Sequence, residues 1–178
     1  MRGETVRQRP GLVTADNAVN QMQASPDLSP PPGWRPLEPA PERSYVSGDP
    51  AGDRLRVRYC QDAEDRVCAR VWFGPGTEGP PGHVHGGAIA ALLDEAMGVA
   101  AWVAGYPVVA GRLAVDFRRM MPLGSIVSAT TEVQAIEGRK VRVKSRLATD
   151  DEVVIAEAEA VFVQLRLEAL HDLNQLRG

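Results

Sequence analysis

The pattern of apolar and polar positions divides this chain of 178 residues near residue 50. Before that point large apolar side chains are few and prolines are frequent, which predicts a proline-rich N-terminal arm over 1–50, partly extended or disordered. Within the arm, residues 15–22 could form a short helix. A folded domain is expected over 51–167, and a short C-terminal tail over 168–178.

Within the domain, alternating apolar residues predict strands and one longer apolar run predicts a helix at roughly 86–103. The strands are expected at 55–59, 67–73, 112–118, 125–135, 140–148 and 153–165. No strand–helix–strand repeat is present. An antiparallel α+β fold is therefore favoured over a doubly wound parallel sheet.

The predicted helix is apolar around most of its circumference, which is typical of a buried helix. Later strands can cover it, because Leu113, Val115 and Phe117 alternate on one strand face. These features favour a curved antiparallel sheet of five to six strands wrapped around one long central helix.

Charge and composition exclude several classes of protein. A formal net charge of −3 and a pI near 5.6 disfavour a nucleic-acid binder. No apolar stretch is expected to be long enough to span a bilayer, and the N-terminus does not resemble a signal peptide. Cys60 and Cys68 lie in predicted strands without metal-type spacing. A cytoplasmic protein without membrane or nucleic-acid partners is expected.

Candidate chemistry begins where the predicted helix begins. His85, Gly86 and Gly87 open it, so the first helical N–H groups are accessible to an approaching oxygen at the positive end of the helix dipole. Asp94 follows about two turns later in an apolar setting, where burial of an unpaired carboxylate is costly. Open N–H donors and a buried acid on one helix indicate acyl-transfer catalysis.

The stretch from about 79 to 165, roughly half of the chain, resembles the hotdog-fold thioesterases. It is most similar to the PaaI-like branch of the 4-hydroxybenzoyl-CoA thioesterase superfamily and to the related eukaryotic acyl-CoA thioesterases. The residues that carry the resemblance are Pro81 to Gly87, Asp94, Val115 to Arg119, Pro122 to Gly124 and Glu137 to Lys140. The resemblance implies a hotdog fold and hydrolysis of acyl-CoA to free acid and CoA.

In the resembling enzymes a glycine N–H at the helix start polarises the thioester carbonyl, which corresponds to Gly86 with Gly87 beside it. The helix carboxylate, here Asp94, attacks that carbonyl or activates water. Eight residues of α-helix span about 12 Å, so one chain cannot supply both groups to one thioester. A homodimer with antiparallel helices can, and a dimer of dimers is equally compatible.

The resemblance also implies residues that bind coenzyme A, which enters as part of the substrate; no other cofactor is expected. These candidates are His83, Asp116, Arg118, Arg119, Arg139 and Lys140. Arginine suits phosphate, yet a solvated sheet face would account equally well for the basic residues.

Each catalytic candidate has a structural alternative. Asp94 could be a paired structural acid, and Glu95 is expected to be exposed or at an interface. His85 could contact the acyl carbonyl, or it could cap the helix or pack against the loop. His83 and His85 could suggest a metal, but Ile89 and Ala90 stand where a cupin-like site needs a glutamate, so no metal is expected.

One departure from the family pattern bears on activity. Ala110 stands where many relatives carry a serine or threonine that supports the carboxylate or water. Two other functions therefore remain open. One is a non-catalytic acyl-CoA-binding hotdog protein; the other is a hotdog acyl-thioester hydratase or dehydratase, whose usual histidine–proline context is missing here.

Overall fold

The computed structural model describes residues 26–37 and 44–166. The possible helix at 15–22, the rest of the arm and the C-terminal tail lie outside the described residues, so those expectations stay predictions. Within the described part, the arm contributes one short strand to the sheet.

The elements follow the predicted order. One α-helix, α1, covers Gly86–Val103, and a 3-10 turn at Pro75–Thr77 precedes it. The strands are β1 Arg35–Pro36, β2 Leu55–Gln61, β3 Val67–Phe73, β4 Val108–Phe117, β5 Ile126–Glu137, β6 Lys140–Ala148 and β7 Val154–Gln164.

All strand pairs are antiparallel, in the spatial order β1-β2-β3-β5-β6-β7-β4. The sheet therefore has seven strands where five to six were predicted, because the two-residue β1 joins it from the arm. The α+β hotdog arrangement of one long helix against an antiparallel sheet is confirmed.

Helix α1 packs against the sheet and supplies much of the core. Its buried residues are Ile89, Leu92, Leu93, Ala96, Met97, Ala100 and Ala101. By length and hydropathy alone α1 could span a bilayer, so the expectation that no stretch is long enough was wrong. In this fold the apolar sequence of α1 is explained by its contacts with the sheet.

The helix is not covered on every side, which corrects a second expectation. Trp102 is 48% exposed near the C-terminal end of α1, and Phe117 is 53% exposed at the end of β4. Leu113 is also exposed, and only Val115 of the predicted β4 face packs against the core. The reason is that β4 lies at the sheet edge, with β7 as its neighbour and no further described strand beyond it.

Candidate active site

The N-terminus of α1 is fixed by His85. Its backbone is extended, and its Nδ1 accepts a hydrogen bond from the Gly87 N–H at 2.8 Å. The His85 N–H in turn donates to the Thr77 carbonyl at 2.8 Å, which ties the cap to the preceding 3-10 turn. Of the alternatives open for His85, the structure shows the helix cap.

This cap distinguishes the two glycines. The Gly87 N–H is occupied by His85, whereas the Gly86 N–H has no acceptor among the described residues. A Cβ on Gly87 would stand 2.9 Å from His85 Nδ1, so glycine allows the close approach that makes the cap. Gly86 is therefore the open donor of the pair.

The open donor lies against an exposed aromatic ring. A Cβ on Gly86 would stand 3.3 Å from the ring of Phe117, the last residue of β4. Strand β4 thus flanks the side of α1 where the Gly86 donor is found. Sequence analysis placed Phe117 in the core and did not associate it with the site.

Asp94 is half-buried, and its Oδ1 is fully buried without a hydrogen-bond partner among the described residues. Burial raises the pKa of this carboxyl above its usual value of 3.8. No ion pair of Asp94 is found among the described residues, so they do not support the alternative that Asp94 is a paired structural acid. Asp94 is also separated from Gly86 by about 12 Å along the helix, so the two groups do not meet within one chain.

Glu95 has a different environment from its neighbour. The buried Tyr59 hydroxyl of β2 donates to Glu95 Oε1 at 3.0 Å, so Glu95 is partly buried rather than exposed. Because successive helical residues are about 100° apart, Glu95 and Asp94 point in different directions. Glu95 is nine residues after Gly86, which places it about 180° around the helix, so strand β2 lies on the side of α1 away from the Gly86–Phe117 contact.

His83 is engaged within its own loop. Its ring Nδ1 is 2.9 Å from the Pro81 carbonyl, which can only accept, so Nδ1 carries the proton. Its backbone carbonyl accepts from the Gly79 N–H at 2.9 Å. These bonds give His83 a role in holding the loop before α1. Among the described residues, no group of three metal-ligating side chains comes together.

The predicted coenzyme A residues form two separate groups. Arg118 bonds to Glu157 at 2.9 Å and lies 3.6 Å from Asp116, and Arg119 follows it. Arg139 donates to the Gln164 carbonyl at 2.8 Å, with Lys140 next to it at the start of β6.

The register of the sheet separates these groups. Phe117 is opposite Ala156 and Lys140 is opposite Val163, so they lie about 23 Å apart along β7. Within one chain the structure therefore does not bring Arg118 and Arg119 to Arg139 and Lys140.

Comparison with known proteins agrees with this geometry. Residues 81–156, which include the helix cap, Gly86, Asp94 and the end of β4, match the family model of the thioesterase superfamily. This part of the chain is therefore similar to the thioesterase superfamily. The match begins just before the helix cap and ends in β7, so it contains α1, β4, β5 and β6.

The chain also has named relatives. It is 37% identical over 117 residues to the acyl-coenzyme A thioesterase THEM4 of Xenopus laevis, covering 64% of this chain and 53% of that one. It is 36% identical over 99 residues to the human acyl-coenzyme A thioesterase THEM5, covering 54% and 40%. The chain thus spans about half the length of the relatives it matches.

Solved structures share the fold of this chain. A crystal structure of a thioesterase superfamily protein aligns with a TM-score of 0.56 at 31% identity, covering 61% of this chain and 54% of that one. A Bacillus halodurans protein solved with CoA aligns with a TM-score of 0.51 at 26% identity, covering 55% and 66%.

Proposed function

We propose that this protein hydrolyses acyl-CoA thioesters to a free acid and CoA, as a homodimer with two equivalent sites. The observation that carries the proposal is a pair of unused groups on α1. The Gly86 N–H has no acceptor and the buried Asp94 Oδ1 has no donor among the described residues. The names of the relatives support the same substrate class.

The two groups suit the two needs of thioester hydrolysis. The Gly86 N–H, at the positive end of the helix, donates to the carbonyl oxygen as negative charge develops there. The Asp94 carboxylate of the second chain takes a proton from water as the water attacks, or attacks the carbonyl itself. The C–S bond then breaks and CoA leaves as the thiolate, which takes up a proton. If Asp94 itself attacks, water then hydrolyses the resulting anhydride, which releases the free acid and restores the carboxylate.

The open edge of the sheet supports the dimer. Strand β4 has one neighbour, and exposed apolar side chains lie along it at Val109, Leu113 and Phe117. Unpaired edges and exposed apolar patches are features that proteins cover by association. An antiparallel β4–β4 contact across a two-fold axis also sets the two α1 helices antiparallel, which lets Asp94 of one copy approach Gly86 of the other.

The same pairing offers a site for the CoA phosphates. In an antiparallel β4–β4 contact, the β5–β6 turn of the second copy reaches the sheet end where Arg118 and Arg119 lie. Three strand spacings, about 14 Å, then separate Arg118 from Arg139 and Lys140 of that copy. We propose that the two groups bind the nucleotide end of one CoA together, and that coenzyme A is the only cofactor-like group involved.

The decisive experiment mixes two inactive variants. Asp94→Asn removes the carboxylate charge, and Gly86→Pro removes the donor at the first helical position, where proline is tolerated. Each alone should abolish release of free CoA thiol from a panel of acyl-CoAs. After unfolding and refolding together, half of the dimers are mixed and each has one intact site, so about a quarter of wild-type activity should return.

The outcome separates the possibilities. Recovery of activity in the refolded mixture, with none in either variant refolded alone, supports sites shared between chains. Full activity in Asp94→Asn would overturn the mechanism. A wild-type protein that binds acyl-CoA without hydrolysing it would support the non-catalytic alternative, which Ala110 favours because it carries no hydroxyl.

A further inference from the structure

A cavity of about 430 Å³ opens beside the N-terminus of α1, where it reaches the His85 cap. Ala88 and Ala91 of α1 form one wall. Leu55 at the start of β2 and the preceding residues Tyr45 and Val46 form the other. The volume lies in the range of small-ligand sites.

The polar groups in its lining are of two kinds: Asp49 and Arg54 are charged and exposed, whereas the remaining polar side chains are satisfied by the chain itself. Thr77 Oγ1 donates to the Gly74 carbonyl at 2.6 Å, and Glu78 Oε1 accepts from the Gly82 N–H at 2.8 Å. His85 Nδ1 holds the helix cap. Apart from the two exposed charged side chains, what remains available to a ligand is therefore mainly the apolar wall of aliphatic and aromatic side chains.

The cavity and the CoA-binding candidates lie on different sides of the Gly86 donor. Phe117, followed by Arg118 and Arg119, flanks α1 on the β4 side. The cavity is on the β2 side, where it reaches His85 and Gly87. The carbonyl carbon of a thioester held at Gly86 carries the sulfur and the acyl chain on two diverging bonds, so the two groups need separate places.

We infer that this cavity takes the acyl group of the thioester and that the acyl group is apolar. The inference rests on the proposed function for the position of the carbonyl. The wall formed by residues 45–55 precedes the superfamily match at 81–156, so the chain supplies part of the acyl site from outside that domain. Ala88 and Ala91 leave the space because their side chains are small.

If the acyl group occupies this cavity, the side chains of Ala91 and Val46 determine which acyl-chain length is preferred. Each methylene that is buried in an apolar site changes kcat/KM about fourfold. Ala91→Phe should fill the cavity and lower the ratio of long-chain to short-chain kcat/KM by tenfold or more. Val46→Ala should deepen the cavity and shift the preferred acyl-CoA to a longer chain.

The matched control is Ala63→Phe, the same substitution at an exposed position of the β2–β3 turn. It should leave the chain-length profile as in wild type. Hydrolysis is measured as thiol release from acyl-CoAs of two to sixteen carbons. If Ala91→Phe and Val46→Ala hydrolyse with the wild-type profile, the acyl site is elsewhere, although the proposed hydrolysis stands.

A binding measurement separates the two proposals. S-dodecyl-CoA, a thioether without the reactive carbonyl, and CoA alone are titrated into the protein by calorimetry. The affinity gained from the dodecyl chain should fall at least tenfold in Ala91→Phe and stay unchanged in Ala63→Phe. That result without hydrolysis by wild type would retain the apolar site and reject the hydrolase. An equal gain in all variants would overturn the acyl site.

Discussion

The two edges of the sheet differ in how far the described chain covers them. At one edge β1 pairs with β2, and the Leu37 N–H donates to the Tyr59 carbonyl at 3.0 Å, so the arm covers the edge. Strand β3, two places in, is buried along its whole length. At the other edge β4 has only β7 beside it, and most of its residues are exposed.

The difference shows which edge of the sheet is left uncovered. Both β2 and β4 carry apolar residues, but within the described chain only β2 has its outer side covered, by β1. The uncovered edge is also the one that reaches Gly86 through Phe117. The apolar edge and the open N–H donor lie together, which supports the proposal that a second chain completes the site.

The largest effect is expected from a charge placed on the open edge. Leu113 is exposed on β4, and Leu113→Lys should prevent a second copy from covering this edge, because a lysine there would lose its hydration. The protein should become monomeric by analytical ultracentrifugation and lose acyl-CoA hydrolysis, while its circular dichroism stays folded.

The control for that variant is Ala63→Lys, at an exposed apolar position in the β2–β3 turn, away from the β4 edge and from the proposed CoA-binding residues. It should leave both the association state and the activity as in wild type. A monomeric Leu113→Lys protein with full activity would show that one chain suffices for catalysis.

The sequence predicts the bounds of well-paired strands better than it predicts which surface each strand packs against. The bounds of β3 and β6 match their predicted ranges, because apolar and polar residues alternate there between clear turns. The arm strand β1 was missed, since two residues, Arg35 and Pro36, carry no periodicity. Periodicity also placed Leu113 against the helix, and it could not show that the neighbouring face lacks a cover.

The candidate site shows the same contrast between features with a local sequence signal and features without one. Gly86 and Asp94 could be located from the sequence, because glycine at a helix start and an acid among apolar residues stand out locally. The occupation of the Gly87 N–H by His85 could not, since it depends on a side-chain rotamer. The Phe117 contact with Gly86 brings together residues far apart in the chain, and no local signal marks it.

A smaller effect is expected at the donor itself. Gly86→Pro removes the open N–H, and the extended backbone of His85 is compatible with a following proline. Loss of one oxyanion donor should lower kcat by about 10²–10³-fold. Gly86→Ala is the matched control, because it adds the same Cβ near Phe117 and keeps the N–H; equal losses in both would point to crowding instead.

A pH-dependent effect is expected from Asp94. Since burial raises its pKa above the usual 3.8, kcat/KM should rise with pH through that raised pKa. The folded chain binds this proton more tightly than the unfolded chain, so the charged carboxylate lowers stability above the unfolded pKa. Asp94→Asn should therefore melt at a higher temperature than wild type at pH 7, and the difference should shrink as the pH falls through the raised pKa towards the unfolded value near 3.8.

The smallest effect is expected at the covered edge. Arg35 of β1 forms an ion pair with Asp65, but both side chains are exposed, and such pairs contribute at most about 1 kcal/mol. Arg35→Ala should therefore shift the urea midpoint only slightly. Leu37→Ala should shift it more, because Leu37 packs against the core. The opposite ranking would mean that charge, rather than strand pairing and apolar contact, holds the arm on the sheet, and that the two edges differ in electrostatics as well as in cover.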